Sequence, residues 1–217
     1  MFSRGERVNE SALESMDRMY RYQRYFYDLT RKFYLLGRDR LIREIGALPG
    51  DKILELGCGT ARNLAILAAQ HPKTDFYGLD ASAEMLKTAA RNIRSLKNVE
   101  LRTLLADQFS VSDFGLDKTF DIAFFSYAIS IIPPWRESIL NALRNLRPGG
   151  RLLIVDFYDQ KDLPEWFRWA LKSWLSKFHV AYPTELLPFL ESLDGVKVSV
   201  TPLYRRYSVL IEIEKSV

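Results

Sequence analysis

The run ILELGCGTARN places Glu55 two residues before Gly57 and sets Gly57, Cys58 and Gly59 between an apolar stretch and a helical pattern that begins near Arg62. Glycines at such a turn remove side chains where a ligand must approach the backbone, and the helix that follows offers amide groups at its first turn. A dinucleotide site would want a third glycine three residues after Gly59 to close on a pyrophosphate. The residue there is Arg62, so the nicotinamide reading drops sharply. Asp80 ends the run DFYGLD about twenty residues farther on, where a carboxylate can accept hydrogen bonds from both hydroxyls of a ribose. Its competing use is to cap the helix that follows. A single Cys and two His offer no ligand cluster for a metal. The chemistry these residues suit is the grip of a nucleoside.

The elements that must position them read as alternating strands and helices. From Lys52 onward KILELG, DFYGLD, VELRTLLAD, FDIAFFSYAI and RLLIVDFY predict five strands. Helical patterns beginning near Arg62, Ser82 and Trp135 lie between them, with a short connection after Asp107. This is the pattern of a parallel sheet with crossover helices. The chain then closes with VKVSVTPLY and YSVLIEIEK around Arg205 and Arg206, a terminal antiparallel hairpin added to a mostly parallel, Rossmann-like α/β sheet. At 217 residues and 47% hydrophobic content, one domain spanning 1–217 is expected, decorated by a helical N-terminal cap at 11–47 and a helical insertion at 161–190. The lone Cys58 excludes an intramolecular disulfide and fits a reducing cytoplasm. No secretory leader and no membrane-spanning run are read.

The two flanks differ from the sheet in composition. Between Arg18 and Arg43 eight Lys or Arg stand against Asp28 and Asp39, more positive charge than the net +4 of the whole chain. Tyr20, Tyr22, Tyr25, Phe26, Tyr27, Phe33 and Tyr34 are interleaved with them. Cationic and aromatic groups mixed along a helix suit an anionic membrane surface or an anionic substrate, whereas a solvated helix face is the plainer use. In the second flank, LPEWFRWALKSWLSKFHV, residues Phe167, Ala170, Leu171, Trp174, Leu175 and Phe178 form an apolar stripe at helical spacing. Trp169 falls instead among Arg168, Lys172, Ser173 and Ser176, the setting of an interfacial tryptophan, or of one packed under the N-terminal segment.

Taken together, the turn at Glu55–Gly59, Asp80 with the following ASAEML, LLADQF, FDIAFFSYA and NLRPGGRLLIVDF resemble, in order, the motifs of class I S-adenosylmethionine methyltransferases. Ala61 stands where that family often has a third glycine, and is expected to be tolerated there with negative φ. The phrases MDRMYRYQRYFYDLTRKFYLLGRDRLI, ELGCGTARN, SYAISIIPPW and WLSKFHVAYP resemble, more narrowly, the N-methyltransferases of bacterial betaine-lipid synthesis. The resemblance implies S-adenosylmethionine as cofactor. Its implied binding residues are Glu55, Gly57, Cys58, Gly59, Asp80, Ala81, Met85, Ala106, Asp107, Gln108 and Ser126, with Tyr34 and Arg38 from the N-terminal cap. It further implies three methylations of diacylglycerylhomoserine by a cytoplasmic enzyme resting on an anionic membrane, with no nucleic-acid partner and with the lipid handed over by the enzyme that makes it.

Displacement at a sulfonium methyl by an amine needs a deprotonated nucleophile, alignment and a site that accepts growing positive charge. His179 is the titratable candidate for the proton, beside a structural use at a helix end. Tyr22, Tyr27, Tyr34 and Tyr127 are candidates for an aromatic wall around the methylated nitrogen or for a lid, with Tyr27, Tyr127 and His179 as the catalytic set. Arg38, Arg205 or Arg206 could meet a substrate carboxylate. Two alternatives stay open: a methyltransferase for another amine or phospholipid such as phosphatidylethanolamine, and a non-catalytic binding module on the same fold.

Overall fold

The computed structural model describes residues 35–176 and 183–216. Among them the order is α1 (Arg38–Ile45), β1 (Lys52–Leu56), α2 (Arg62–Gln70), β2 (Asp75–Asp80), α3 (Ala83–Asn92), β3 (Val99–Thr103), β4 (Phe120–Ser126), α4 (Trp135–Arg144), β5 (Leu146–Phe157), α5 (Glu165–Ser176), α6 (Leu186–Glu191), β6 (Val196–Leu203) and β7 (Ser208–Lys215). A 3-10 turn at Val111–Phe114 fills the connection before β4.

The strands form one seven-stranded sheet in the order β3-β2-β1-β4-β5-β7-β6. β1 to β5 run parallel, and β7 joins antiparallel to both β5 and β6. The expected Rossmann-like sheet with its terminal hairpin is the observed one. β5 begins at Leu146 rather than at Arg151, because Leu146 already pairs with Phe120; residues 147–150 form an irregularity before the ladder resumes at Ile122 and Arg151.

Alternation along the strands divides the core between two faces. Ile53, Phe124, Leu153 and Val155 pack on one face with Leu41 and Ile45 of α1 and Leu64 and Leu67 of α2. Leu54, Leu56, Phe125, Leu152 and Ile154 pack on the other with Ile139 of α4 and Leu186 and Leu190 of α6. The central strands therefore read as continuous apolar runs, as strands covered on both faces must. Each fully buried side chain of this size contributes about 1.5–3 kcal/mol.

α5 is covered less than its apolar stripe leads one to expect. Leu171 and Leu175 are buried and Trp174 packs partly on the core, whereas Phe167 and Ala170 are exposed. Among the described residues only the later part of the stripe is packed on the core. Trp169 is 74% exposed, on the polar side where its neighbours place it, and Trp166 is 72% exposed beside it. The 11–47 cap is described only from residue 35 onward, and Phe178 also lies outside the described residues.

The turn between β6 and β7 holds three consecutive non-glycine residues at positive φ: Tyr204 (50°), Arg205 (55°) and Arg206 (60°). Left-handed backbone costs each of them roughly 1 kcal/mol or more. Arg206 offsets part of this through a forked ion pair with Asp159, Nε to Oδ1 at 2.7 Å, and by lying 4.4 Å over the Tyr158 ring. Its guanidinium holds the Asp159 carboxyl below the usual carboxylate range.

Candidate functional site

A cavity of about 290 Å³ opens at the carboxyl ends of β1, β2 and β4, where parallel sheets place their ligands. Its floor is the turn after β1. Gly57 and Gly59 adopt φ of 70° and 54°, and a Cβ on Gly57 would stand 2.9 Å from the Cβ of Ala128, so no larger residue fits. The amides of Gly57 and Cys58 both donate to the Leu79 carbonyl at 2.9 Å, and that of Gly59 donates to Asp80 Oδ2 at 2.8 Å. These donors are engaged inside the protein, so the turn offers bare backbone surface instead of a phosphate cradle.

Ala61 corrects the sequence reading. Its φ is 57°, in the left-handed region, and it is fully buried as the N-cap of α2. The position demands the glycine conformation that the family motif supplies, and here an alanine bears the cost.

Asp80 sits at the end of β2, 8% exposed. Besides Gly59, it accepts from the Ser82 amide through Oδ1 at 2.9 Å. Ser82 itself caps α3 by accepting from the Met85 amide at 3.3 Å, so the capping use considered for Asp80 belongs to its neighbour. The Gly59 and Ser82 amides orient the carboxylate at the edge of the cavity.

Glu55 lies at the opposite side of the turn, 2% exposed, and accepts from Asn63 Nδ2 at 2.7 Å. Asn63 Oδ1 in turn accepts from Arg38 Nη2 at 3.4 Å, which brings α1 to the same end of the cavity. Asn63 was not singled out in the sequence; its position as the second residue of α2, directly after the glycine turn, is the signal that could have found it.

Met85, Ala81, Ala106, Asp107 and Gln108 close the other end. Gln108 Nε2 donates to Asp107 Oδ2 at 3.2 Å. Asn141 of α4, also unforeseen, holds this loop by donating to the carbonyls of Phe109 and Ala106 at 2.9 and 3.3 Å. At the end of β4 the Ser126 hydroxyl is buried in the lining without a hydrogen-bond partner, and Ile131, Ile132, Pro133 and Pro134 supply an apolar wall.

Cys58 also lines the cavity. Burial, then the nearby Asp80 and Glu55, push its thiol well up, so it stays protonated and is no nucleophile. Tyr127 lines the cavity as well, 3% exposed, and its hydroxyl donates to the Leu36 carbonyl. Burial raises its phenol, which therefore donates and does not take up protons. Behind the wall, fully buried Asp156 accepts from the amides of Ser130 and Phe157 at 3.0 and 2.7 Å, and desolvation pushes its carboxyl up to about 6.

The structure thus gathers Arg38, Glu55, Gly57, Cys58, Gly59, Asp80, Ala81, Met85, Ala106, Asp107, Gln108, Ser126 and Tyr127 around one space. Tyr22, Tyr27, Tyr34 and His179 lie outside the described residues. Arg205 is exposed on the hairpin turn, and the sequence candidate Arg206 is committed to Asp159 rather than to a ligand. Among the described residues no group of His, Cys, Asp and Glu could hold a metal ion.

A model of the methyltransferase domain matches residues 48–192. A demethylmenaquinone methyltransferase of Beutenbergia cavernae is 32% identical over 136 residues, 60% of this chain and 53% of its own. A malonyl-[acyl-carrier protein] O-methyltransferase of Paenibacillus sp. strain JDR-2 is 30% identical over 112 residues, 52% of this chain and 41% of its own. The chain thus spans about half the length of these curated relatives, or less. A methyltransferase from Aquifex aeolicus, described as dependent on S-adenosylmethionine, superposes with a TM-score of 0.64 at 20% identity, over 94% of this chain and 97% of that one.

Proposed function

The chain belongs to the methyltransferase domain family, and from that premise we propose that it methylates the amino nitrogen of diacylglycerylhomoserine three times, yielding diacylglyceryl-trimethylhomoserine. Family and fold make it a methyltransferase that uses S-adenosylmethionine; the acceptor is the proposed part.

The cavity residues fit that cofactor. Asp80 is poised for the ribose hydroxyls, and the loop of Asp107 and Gln108 beside Met85 suits the adenine. The chain Glu55–Asn63–Arg38 presents acid and base together at the far end, where an amino acid's ammonium and carboxylate can be met. The unpartnered Ser126 hydroxyl and the bare surface of Gly57 lie between these ends, where a bulky or charged side chain would obstruct a sulfonium. The cofactor, when bound, supplies an electrophilic methyl group. The protein's own residues hold it, align it and exclude water, which is where most of the rate gain of such a displacement arises. Ile131, Ile132, Pro133 and Pro134 keep the acceptor side dry.

One observation supports a lipid acceptor above others: Trp166 and Trp169 stand 72% and 74% exposed beside Arg168 and Lys172 on α5. Exposed tryptophans flanked by cations suit the headgroup layer of an anionic bilayer. No helix among the described residues is long and apolar enough to cross a membrane, so the attachment proposed is peripheral. The homoserine headgroup itself rests on the resemblance of both flanks to the betaine-lipid enzymes. Its proton would leave through His179 or Tyr27, and its carboxylate would meet Arg205.

A second reading takes a quinone-like acceptor, favoured by the demethylmenaquinone methyltransferase relative and compatible with the same apolar wall. Incubation of the purified protein with deuteromethyl cofactor and each acceptor, followed by mass spectrometry, separates them. Successive gains of one, two and three labelled methyls on diacylglycerylhomoserine are expected. Label on phosphatidylethanolamine or demethylmenaquinone alone would overturn the assignment.

A further inference from the structure

The segment Leu35–Arg38 crosses the edge of the cofactor cavity, and three independent features hold it there. Leu35 and Leu36 pack partly buried on the core cluster that contains Tyr127, Phe157 and Tyr207. Gly37, at φ 94°, lies so close to the sheet that an added Cβ would stand 3.1 Å from side-chain atoms of both Leu203 and Val155. Between them, the Leu36 carbonyl accepts the hydroxyl of Tyr127, a residue 91 positions away in the sequence.

Tyr127 is built for this contact. It is the first residue past β4 and adopts φ 56°, a conformation rarely taken by a bulky side chain and retained only where its surroundings enforce it. Its amide donates to the Val155 carbonyl at 2.8 Å, and its ring stands edge-on against Phe157 with centroids 4.8 Å apart. Phe157 leans in turn on Tyr207 at 5.8 Å. The strained backbone thus directs a rigidly packed phenol at one carbonyl of the crossing segment. Two residues later comes Arg38, which lines the cavity and reaches Asn63 and, through it, Glu55.

We propose that Tyr127 is a positioning residue for the methyl donor: by fastening the Leu36 carbonyl, it fixes Arg38 at the Glu55 end of the cavity and sets the affinity for the amino-acid part of the cofactor. The proposal deepens the cofactor reading and rests on it. Tyr127 acts through Arg38 and has no direct part in the chemistry. Its hydroxyl should therefore influence how tightly the cofactor binds more than how fast bound cofactor reacts.

The test is a calorimetric double-mutant cycle with S-adenosylhomocysteine on the full chain. Tyr127→Phe keeps the ring packing and removes the hydroxyl, and is expected to weaken binding about tenfold, the value of one hydrogen bond in a buried setting. In an Arg38→Ala background the same change is expected to cost nothing further, because interacting residues are non-additive where distant ones add. Gly37→Ala, which displaces the segment and leaves Tyr127 intact, provides a second route to the same loss and covers the case in which Tyr127→Phe fails to fold. Wild-type affinity in Tyr127→Phe would overturn the proposal. So would an equal loss in both backgrounds, since that is the signature of a merely structural tyrosine. No heat with the wild-type protein would remove the cofactor reading, and this proposal with it.

Discussion

The turn after β1 and the first turns of α5 both follow the carboxyl ends of sheet strands, and they are built on opposite plans. At the turn, side chains are withdrawn: Gly57 and Gly59 leave bare backbone, and the amides of Gly57, Cys58 and Gly59 are satisfied by Leu79 and Asp80. On α5, side chains are thrust outward: Trp166, Phe167 and Trp169 are all exposed. The turn can do its work only if backbone geometry is correct, so its residues are constrained by conformation and by stability together. The outer face of α5 stands clear of the core formed by the described residues, so core packing does not constrain it. The first plan is proposed to hold the cofactor shared by many methyltransferases, and the second to meet an acceptor peculiar to this chain.

Substitutions sharpen this contrast in order of expected size. Gly57→Ala combines positive φ with a 2.9 Å approach to Ala128. A loss of roughly 2–4 kcal/mol is expected, lowering the thermal midpoint by roughly 5–15 °C in a scanning calorimeter. A midpoint within a degree or two of wild type would mean that the turn is not sterically fixed.

Asp156 tests the support behind the wall. Its carboxyl is raised to about 6 by burial, so the folded state binds the proton more tightly than the unfolded chain. Its contribution to stability is fully present below the unfolded pKa of about 3.9 and is lost as pH rises through about 6. Relative to Asp156→Asn, wild-type stability should therefore decline by on the order of 2–3 kcal/mol between about pH 4 and 7 and stay level above that. Parallel pH profiles from urea unfolding would contradict it.

Ala61→Gly should raise stability by about 1 kcal/mol, because glycine adopts φ 57° without the cost that alanine bears. A lower unfolding midpoint in urea would show that loss of the buried methyl outweighs the relief. Replacing Trp166 and Trp169 together by Ser should shift stability by less than about 0.5 kcal/mol, as exposed positions do. Sedimentation with phosphatidylglycerol vesicles is nevertheless expected to fall sharply; unchanged sedimentation would end the proposed membrane role of α5.

Much of the turn was legible in the sequence because conformation and residue type are tightly bound there. Gly57, Gly59 and Asp80 mark a tight turn and a strand-end carboxylate, which the fold does bring to one cavity, at the end of strands whose apolar runs are equally plain. What escaped was tertiary. The sign of φ at Ala61 cannot be read from an alanine, since the demand comes from the turn around it. The bond from Tyr127 to Leu36 and the chain from Glu55 through Asn63 to Arg38 join residues that only the fold makes neighbours. Arg206 looked available until the hairpin turn set it against Asp159. On α5, helical spacing alone put Trp169 outside correctly, yet it also enrolled Phe167 and Ala170 in a buried stripe, because periodicity reports which face a residue is on and not where the core ends.

The division between the two plans is tested most directly by titrating S-adenosylhomocysteine into three proteins in a calorimeter. Wild type should bind at one site, Asp80→Ala should lose at least about 100-fold in affinity by forfeiting charge-assisted bonds to the ribose, and the double tryptophan variant should match wild type. Undiminished binding by Asp80→Ala, or a loss in the tryptophan variant comparable to that of Asp80→Ala, would contradict the separation of cofactor grip from acceptor surface.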